Sequence, residues 1–261
     1  RGLSVDLGKT HANTFAKDQF QALKFDYIMA NPPFNISDWG GEKYENDVRW
    51  KYGRPPVGNA NYAWLQHILW KLKPGGQAGI VLANGSMSSN SSGEGQIRES
   101  MIKGDVVEVM IALPGQLFLN TQIPVCLWFL TNDKTKNGRD RRNETLFIDA
   151  RSLGNMETRV LKVLSSKDIQ KMQDIVSSWR KGEKYEDIKG FCKGITTKEI
   201  EQNSFVLTPG RYVGFKDEED DIIPFEEKFT KLKNDLDLLD EKGKLLSQDI
   251  RDSLNSLKYE E

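Results

Sequence analysis

Two consecutive prolines at the end of an apolar run set the strongest limit on how this chain can fold. The run Asp26–Tyr27–Ile28–Met29–Ala30 leads straight into Asn31–Pro32–Pro33–Phe34. Proline has no N–H and a fixed φ, so neither Pro32 nor Pro33 can continue a central strand. A short buried strand over the apolar run must therefore leave its sheet at Asn31 with a stiff geometry. In an open α/β sheet, the space beyond the carboxyl end of a strand is where ligands bind. There the Asn31 amide offers an acceptor and two donors, and the Pro32 carbonyl is a free acceptor. Phe34 adds a flat apolar face. Asn-Pro pairs also start ordinary turns. The apolar run before the motif and the aromatic after it argue for a site.

Composition narrows the partners. At 261 residues the chain holds one large domain or a domain with an appendage. A net charge of −1 gives no global basic field, so any nucleic-acid contact has to be local or made through a partner. Cys126 and Cys192 form no close pair and suggest neither a disulfide framework nor a zinc site. With His11 and His67 as the only histidines, no metal centre is expected. No apolar run is long enough for a membrane span, and no signal peptide opens the chain. A reducing, cytoplasmic setting is expected.

After Phe34 a long loop interleaves cations with aromatics: Trp39, Lys43, Tyr44, Arg49, Trp50, Lys51, Tyr52 and Arg54. That pattern suits a surface that tracks phosphates and stacks bases. It makes Arg49, Trp50, Lys51 and Arg54 candidate substrate contacts; the alternative is a solvated loop with packing aromatics. Residues 61–72 carry helical spacing, with His67 read as a packing or surface residue, and Lys73–Pro74–Gly75–Gly76 stops the helix. Strands are expected over 78–83, 106–113 and 125–131, with an edge strand at Leu146–Phe147–Ile148. Ser92–Gly93–Glu94–Gly95 lacks the third glycine of a dinucleotide fingerprint and reads as a loop and helix start. The basic connector Lys134–Asn143 reads as solvated by default, with DNA backbone contact as the alternative. Residues 165–180 read as an amphipathic helix capped by Ser165 or Ser166. Beyond the acidic run 217–221, Phe225, Phe229, Leu232, Leu236, Leu239, Gly243, Leu246, Ile250 and Leu257 keep a heptad step. Gly243 in that seam reads as a break or a close approach. The divisions are 1–150, 151–216 and 217–261.

The Asn-Pro-Pro-Phe motif resembles that of amino-methyltransferases that use S-adenosylmethionine. The run from Asp6 to about Leu130 resembles, more narrowly, the modification subunit of type I restriction–modification systems. The resemblance is carried by Asn31–Asn35, Asp47–Trp50, Tyr52–Gly53, Asn59–Trp64, Leu72–Gly76, Val81–Ser86, Leu113–Pro114 and Leu117–Phe118, with a weaker match at Leu207–Tyr212. It implies an α/β, Rossmann-like class I methyltransferase sheet, its N-terminal strands lying before this chain, with a C-terminal helical appendage. Family members carry a helical region and a glycine-rich cofactor strand upstream, so this stretch alone is expected to be inactive. The resemblance implies an adenine-N6 DNA methyltransferase in which Asn31, Pro32, Pro33 and Phe34 are catalytic. It places Asn13, Thr14 and Asn31 at the cofactor, Asn13 standing where an acidic residue is usual; a surface turn is the other reading of Asn13. Phe118 reads as a second aromatic at the base pocket or as core. Double-stranded DNA, a specificity subunit docked on the helix 225–258, a second modification subunit and a restriction subunit are the implied partners. The other readings are a methyltransferase for protein glutamine or RNA, whose motif more often ends in Tyr, and a non-catalytic assembly module.

Overall fold

The computed structural model describes Gly2, residues 4–215 and residues 225–256. Residues 1–216 form one unit and residues 217–261 a second. The first is built on a mixed sheet of six strands: β1 (Phe25–Ala30), β2 (Leu72–Ala83), β3 (Val107–Ala112), β4 (Val125–Thr131), β5 (Glu144–Asp149) and, after a two-stranded hairpin of β6 (Asn155–Met156) and β7 (Lys162–Val163), β8 (Cys192–Thr196). The order is β1-β2-β4-β3-β5-β8. β1 runs parallel to β2 and β3 parallel to β5, while β4 lies antiparallel between β2 and β3 and β8 antiparallel beside β5.

Helices α1 (Asn61–Lys71), α2 (Glu94–Lys103), α3 (Ser166–Lys181) and the short α4 (Thr197–Gln202) accompany this sheet. Tyr62, Leu65, Ile68 and Leu69 of α1, Ile97 and Met101 of α2, and Ile80, Leu82, Trp128 and Phe147 of the sheet form the larger core. A second core gathers Val109, Ile111, Leu146 and Ile148 with Met172 and Trp179 of α3. Ser165 caps α3: its hydroxyl accepts from the Asp168 N–H at 3.2 Å, and the Asp168 carboxylate accepts from the Ser165 N–H at 2.9 Å. The Leu207–Tyr212 segment docks on the sheet through Tyr212, which stacks on Phe147 at 4.2 Å between ring centroids.

Two strand expectations change. Among the described residues only β2 pairs with β1, and along its other side Tyr27 is 74% and Met29 93% exposed. Leu146–Ile148 is interior, since β8 takes the edge beyond it. β2 starts earlier than expected, at Leu72, and absorbs the Pro-Gly-Gly turn as an irregularity in its pairing with β1.

The connector from Lys134 to Asn143 is a structural brace. The Lys134 ammonium is buried on the Asp105 carboxylate at 2.6 Å, Arg139 pairs with Glu144 at 2.5 Å, and Arg142 with Asp140 at 2.6 Å. Arg141, fully buried, meets Glu108, which also holds Arg180 of α3. Lys134 and Arg141 are buried on carboxylates of the same fold, which removes these two from a phosphate-binding role, whereas the Arg142–Asp140 pair is exposed.

The second unit contains α5 (Phe225–Ser256), a continuous helix of 32 residues. It runs unbroken through Gly243, where a Cβ would meet nothing within 4 Å. Leu257 lies outside the described residues, as does the acidic run. Among the described residues no helix is long and apolar enough to cross a membrane.

Candidate active site

The motif sits where the sheet topology converges. Asn31 follows the last residue of β1, Ala30, which pairs with Ile80 of β2. Because β2 and β3 run parallel to β1 and β4 against it, the same end of the sheet carries the carboxyl ends of β2 and β3 and the start of β4. The loop from Leu113 to Pro124 therefore closes over the motif, and Phe118 in it meets Phe34 edge to face, 6.0 Å between centroids at 76°. Such T-shaped contacts are a favoured aromatic geometry. Both rings are half-buried.

The polar groups of the motif are left uncommitted. Asn31 is exposed, and its side chain makes no hydrogen bond among the described residues. Nor does the Pro32 carbonyl, although Pro32 itself is buried. Asn84 begins the turn after β2; its N–H donates to the Pro124 carbonyl at 3.2 Å, and its buried Oδ1 has no hydrogen-bond partner among the described residues. Two grooves flank the open edge of β1. One, of about 740 Å³, is lined by Tyr27–Asn31, Val81, Leu127 and Phe129. The other, of about 610 Å³, is lined by Thr14, Phe20, Tyr27–Met29, His67 and Lys71.

Of the two candidate cofactor residues near the start of the chain, Thr14 lines the second groove. Asn13 is exposed, and its Oδ1 already accepts from the Phe15 and Ala16 N–H groups at 2.8 and 3.3 Å. Its amide nitrogen makes no hydrogen bond among the described residues, so Asn13 can only donate to a ligand there.

The aromatic–basic loop divides. Arg49 is 8% exposed and forks onto Asp47 at 2.8 and 2.6 Å, while donating to the Phe15 carbonyl at 2.9 Å. Trp50 is buried with Trp39 and Phe15 and donates to the Tyr44 carbonyl at 2.6 Å. These side chains build a small aromatic core, so Arg49 and Trp50 are buried where the surface reading of the loop has them exposed. The rings of the loop bury one another against the start of α1, and the guanidinium enters with its own carboxylate. Lys51 remains exposed, and so does Arg54, paired with Glu45 at 2.6 Å.

His67 packs in the same region, with Nδ1 3.3 Å from Arg49. Burial, then the Arg49 charge, push its pKa down from 6.5 to about 4; Asp18, Asp47 and Lys71 also act on it. The unfolded chain therefore binds a proton near pH 6.5 that the folded chain refuses until about pH 4. Stability is fully kept above the unfolded value and lost as pH falls through this window. The expected loss between pH 7 and pH 5 is roughly 2 kcal/mol. Urea denaturation at the two pH values checks it, and His67→Gln should remove that share; an unchanged pH dependence in the variant refutes the assignment.

Sequence reading passed over two features. One is Asn84. The other is the trio Asn35, Asn59 and Asn61, whose mutual hydrogen bonds tie the residue after Phe34 to the start of α1. The signal was present only as Asn59 and Asn61 at a helix start, and the fold alone brings Asn35, 26 residues upstream of Asn61, to them.

The N-6 DNA Methylase family model matches residues 1–221. Over 260 residues the chain is 48% identical to the type I restriction enzyme HindI methylase subunit of Haemophilus influenzae, covering 100% of this chain and 58% of that protein. It is 39% identical over 256 residues to the type I restriction enzyme MjaIX methylase subunit of Methanocaldococcus jannaschii, covering 95% of this chain and 45% of that protein. The chain thus spans about half the length of the curated relatives it matches. Among solved structures, the type I restriction–modification methyltransferase subunit of Streptococcus thermophilus gives a TM-score of 0.67 at 27% identity, over 77% of this chain and 41% of that one. The EcoKI M protein shares the fold, with a TM-score of 0.57 at 16% identity over 90% of this chain and 53% of that one.

Proposed function

Since the chain belongs to the N-6 DNA methylase family and has the Rossmann-like sheet of its methyltransferases, we propose that it carries the catalytic edge of an adenine-N6 DNA methyltransferase, the modification subunit of a type I restriction–modification complex. One observation carries this reading: beyond β1, an Asn31 amide and a Pro32 carbonyl that make no hydrogen bond among the described residues adjoin the Phe34–Phe118 pair.

The amino nitrogen of adenine is a poor nucleophile because its lone pair is delocalised into the ring. Asn31 Oδ1 accepts one amino hydrogen and the Pro32 carbonyl the other. Two acceptors out of the ring plane draw the nitrogen towards tetrahedral geometry and localise the lone pair. This is preorganised electrostatics aimed at charge that develops during transfer. A neutral amide is no general base, so Asn31 acts by accepting and positioning. The two prolines fix the backbone that presents both acceptors. Phe34 stacks on the base, with Phe118 set edge-on behind it, and holds the nitrogen in line. A base inside a duplex has to be flipped out to reach them, at a cost of a few kcal/mol.

S-adenosylmethionine, when bound, supplies a methyl group on a sulfonium. Thr14 and Asn31, which each line a groove beside β1, are the residues of this chain that would hold it. Asn13 can add a donor. Lys51 and Arg54 are the loop cations we assign to the DNA backbone. The deciding experiment is methyl transfer to duplex DNA by the full-length protein in its complex, with the modified nucleoside identified. N6-methyladenine supports the reading; methylated cytosine, RNA or protein glutamine overturns it.

The specificity subunit docks on α5 in this reading, with a second modification subunit and a restriction subunit completing the complex. Phe229, Leu232, Leu236, Leu239, Leu246 and Ile250 keep the heptad step on α5, and every one of them is more than half exposed. Covering such a seam is worth roughly 25 cal/mol per Å² of apolar surface. Ending the full-length protein before Phe225 is expected to abolish co-purification of the specificity subunit. Undiminished co-purification would sink the docking assignment and point to a seam that packs within the chain.

A further inference from the structure

We infer that Asn61 is a positioning residue for methyl transfer, acting on the Asn31–Phe34 loop through Asn35; the inference rests on that loop being the transfer site. The prolines stiffen the loop at its centre, but its far end needs its own anchor. Asn35 sits there with φ at +53°, a left-handed conformation that few residues other than glycine and asparagine adopt readily.

Asn61 supplies the anchor. Its side chain is 1% exposed at the first residue of α1. Its Oδ1 accepts from the Asn35 N–H at 3.1 Å, and its Nδ2 donates to Asn35 Oδ1 at 2.8 Å. Both ends of one amide are thus spent on a single residue, which fixes the direction of Asn35 as well as its distance. Asn59 braces the pair, donating to Asn35 Oδ1 at 3.4 Å and accepting from the Asn61 N–H at 2.9 Å. The Ala60 N–H donates to the Ile36 carbonyl at 3.0 Å, so the backbone beyond Asn35 is held too.

The anchor is rigid because α1 is. Tyr62, Leu65 and Ile68 lock the helix into the larger core, and the Tyr62 hydroxyl donates to the Ser86 carbonyl at 2.7 Å. Asn61 therefore transmits the position of a core helix to the residue that follows Phe34. The clamp's side-chain hydrogen bonds run between its own asparagines. Its effect is on where Phe34 and the Pro32 carbonyl stand when the base arrives.

The chemistry of the clamp makes a distinctive prediction. Asn35 uses its oxygen and its backbone N–H, whereas its amide nitrogen makes no hydrogen bond among the described residues. A carboxylate there keeps both acceptor functions, and glycine keeps the backbone conformation but loses the acceptor. In the full-length protein within its complex, Asn35→Gly and Asn61→Leu are each expected to lower kcat on the order of 10- to 100-fold, the scale of a small misplacement of reacting groups. KM for DNA and for cofactor should stay within about twofold, since the clamp's role in this inference is to position the loop and not to bind. Asn35→Asp is expected to stay within about threefold of the wild type, because the two amides still find an acceptor. Asn35 is exposed, so Asn35→Gly stays informative even where Asn61→Leu fails to fold. A wild-type kcat in Asn35→Gly, or a loss in Asn35→Asp as deep as in Asn35→Gly, overturns the inference. A rise in KM at constant kcat overturns it as well. No transfer by the wild type under the same conditions would instead fail the assignment of the transfer site.

Discussion

Alanine in place of Asn31 is expected to cut kcat for methyl transfer by at least about 10²-fold, the scale set by removing one preorganised hydrogen-bonding group from a charge-developing site. The Asn31 amide is exposed at the mouth of the fold and bonded to nothing among the described residues, so its removal should leave the structure as it is. The Phe34–Phe118 pair and the Pro32 carbonyl remain to bind the base. DNA affinity should therefore be nearly unchanged, and cofactor affinity little reduced. Single-turnover transfer by the full-length protein, alongside direct titration of both ligands, separates these effects. A loss of cofactor affinity as large as the loss of rate would refute the role given to Asn31, because the residue would then be acting on the cofactor and not on the amino group.

The largest loss of stability is expected at Glu108. Its carboxylate is fully buried on β3 and accepts from Arg141 Nε at 3.2 Å, Arg180 Nε at 3.1 Å and Arg180 Nη2 at 2.6 Å. Arg141 is fully buried as well, so Glu108→Ala strands a guanidinium that cannot reach water. Breaking a buried pair from one side costs about 3–5 kcal/mol. Glu108→Gln keeps one acceptor oxygen and should cost less. Urea denaturation of the 261-residue chain measures both. A change below about 1 kcal/mol in Glu108→Ala would mean that water reaches the site, and that the brace between β3, the connector and α3 contributes little.

Much of the sheet was legible because its strands are short apolar runs ended by proline or glycine. β4 and the helices α1 and α3 fall where periodicity and caps put them. β8 was not legible: Cys192–Thr196 holds a lysine and a glycine, and it is a strand only because β5 offers it an unpaired edge. In the loop after Phe34, interleaved rings and cations could not be told apart as ligand surface or packing. Charge and ring type are the same in both cases; what differs is whether Asp47 and the Phe15 carbonyl are within reach of Arg49.

The amino-acid sequence by itself determined the local chemistry. Two prolines after Asn31 require the strand to end there, and they leave an amide, a carbonyl and an aromatic ring side by side. Those are consequences of covalent structure and neighbouring φ angles, which no distant residue has to supply. Tertiary structure alone decided which distant groups complete them. It brought Phe118 against Phe34 from a loop 84 residues further on, and Asn61 against Asn35 from the start of a helix. It also buried Arg49 and Arg141 on carboxylates instead of leaving them to phosphates. Contacts of that kind depend on strand order and on which faces are covered, and both are set by the packing of the whole sheet.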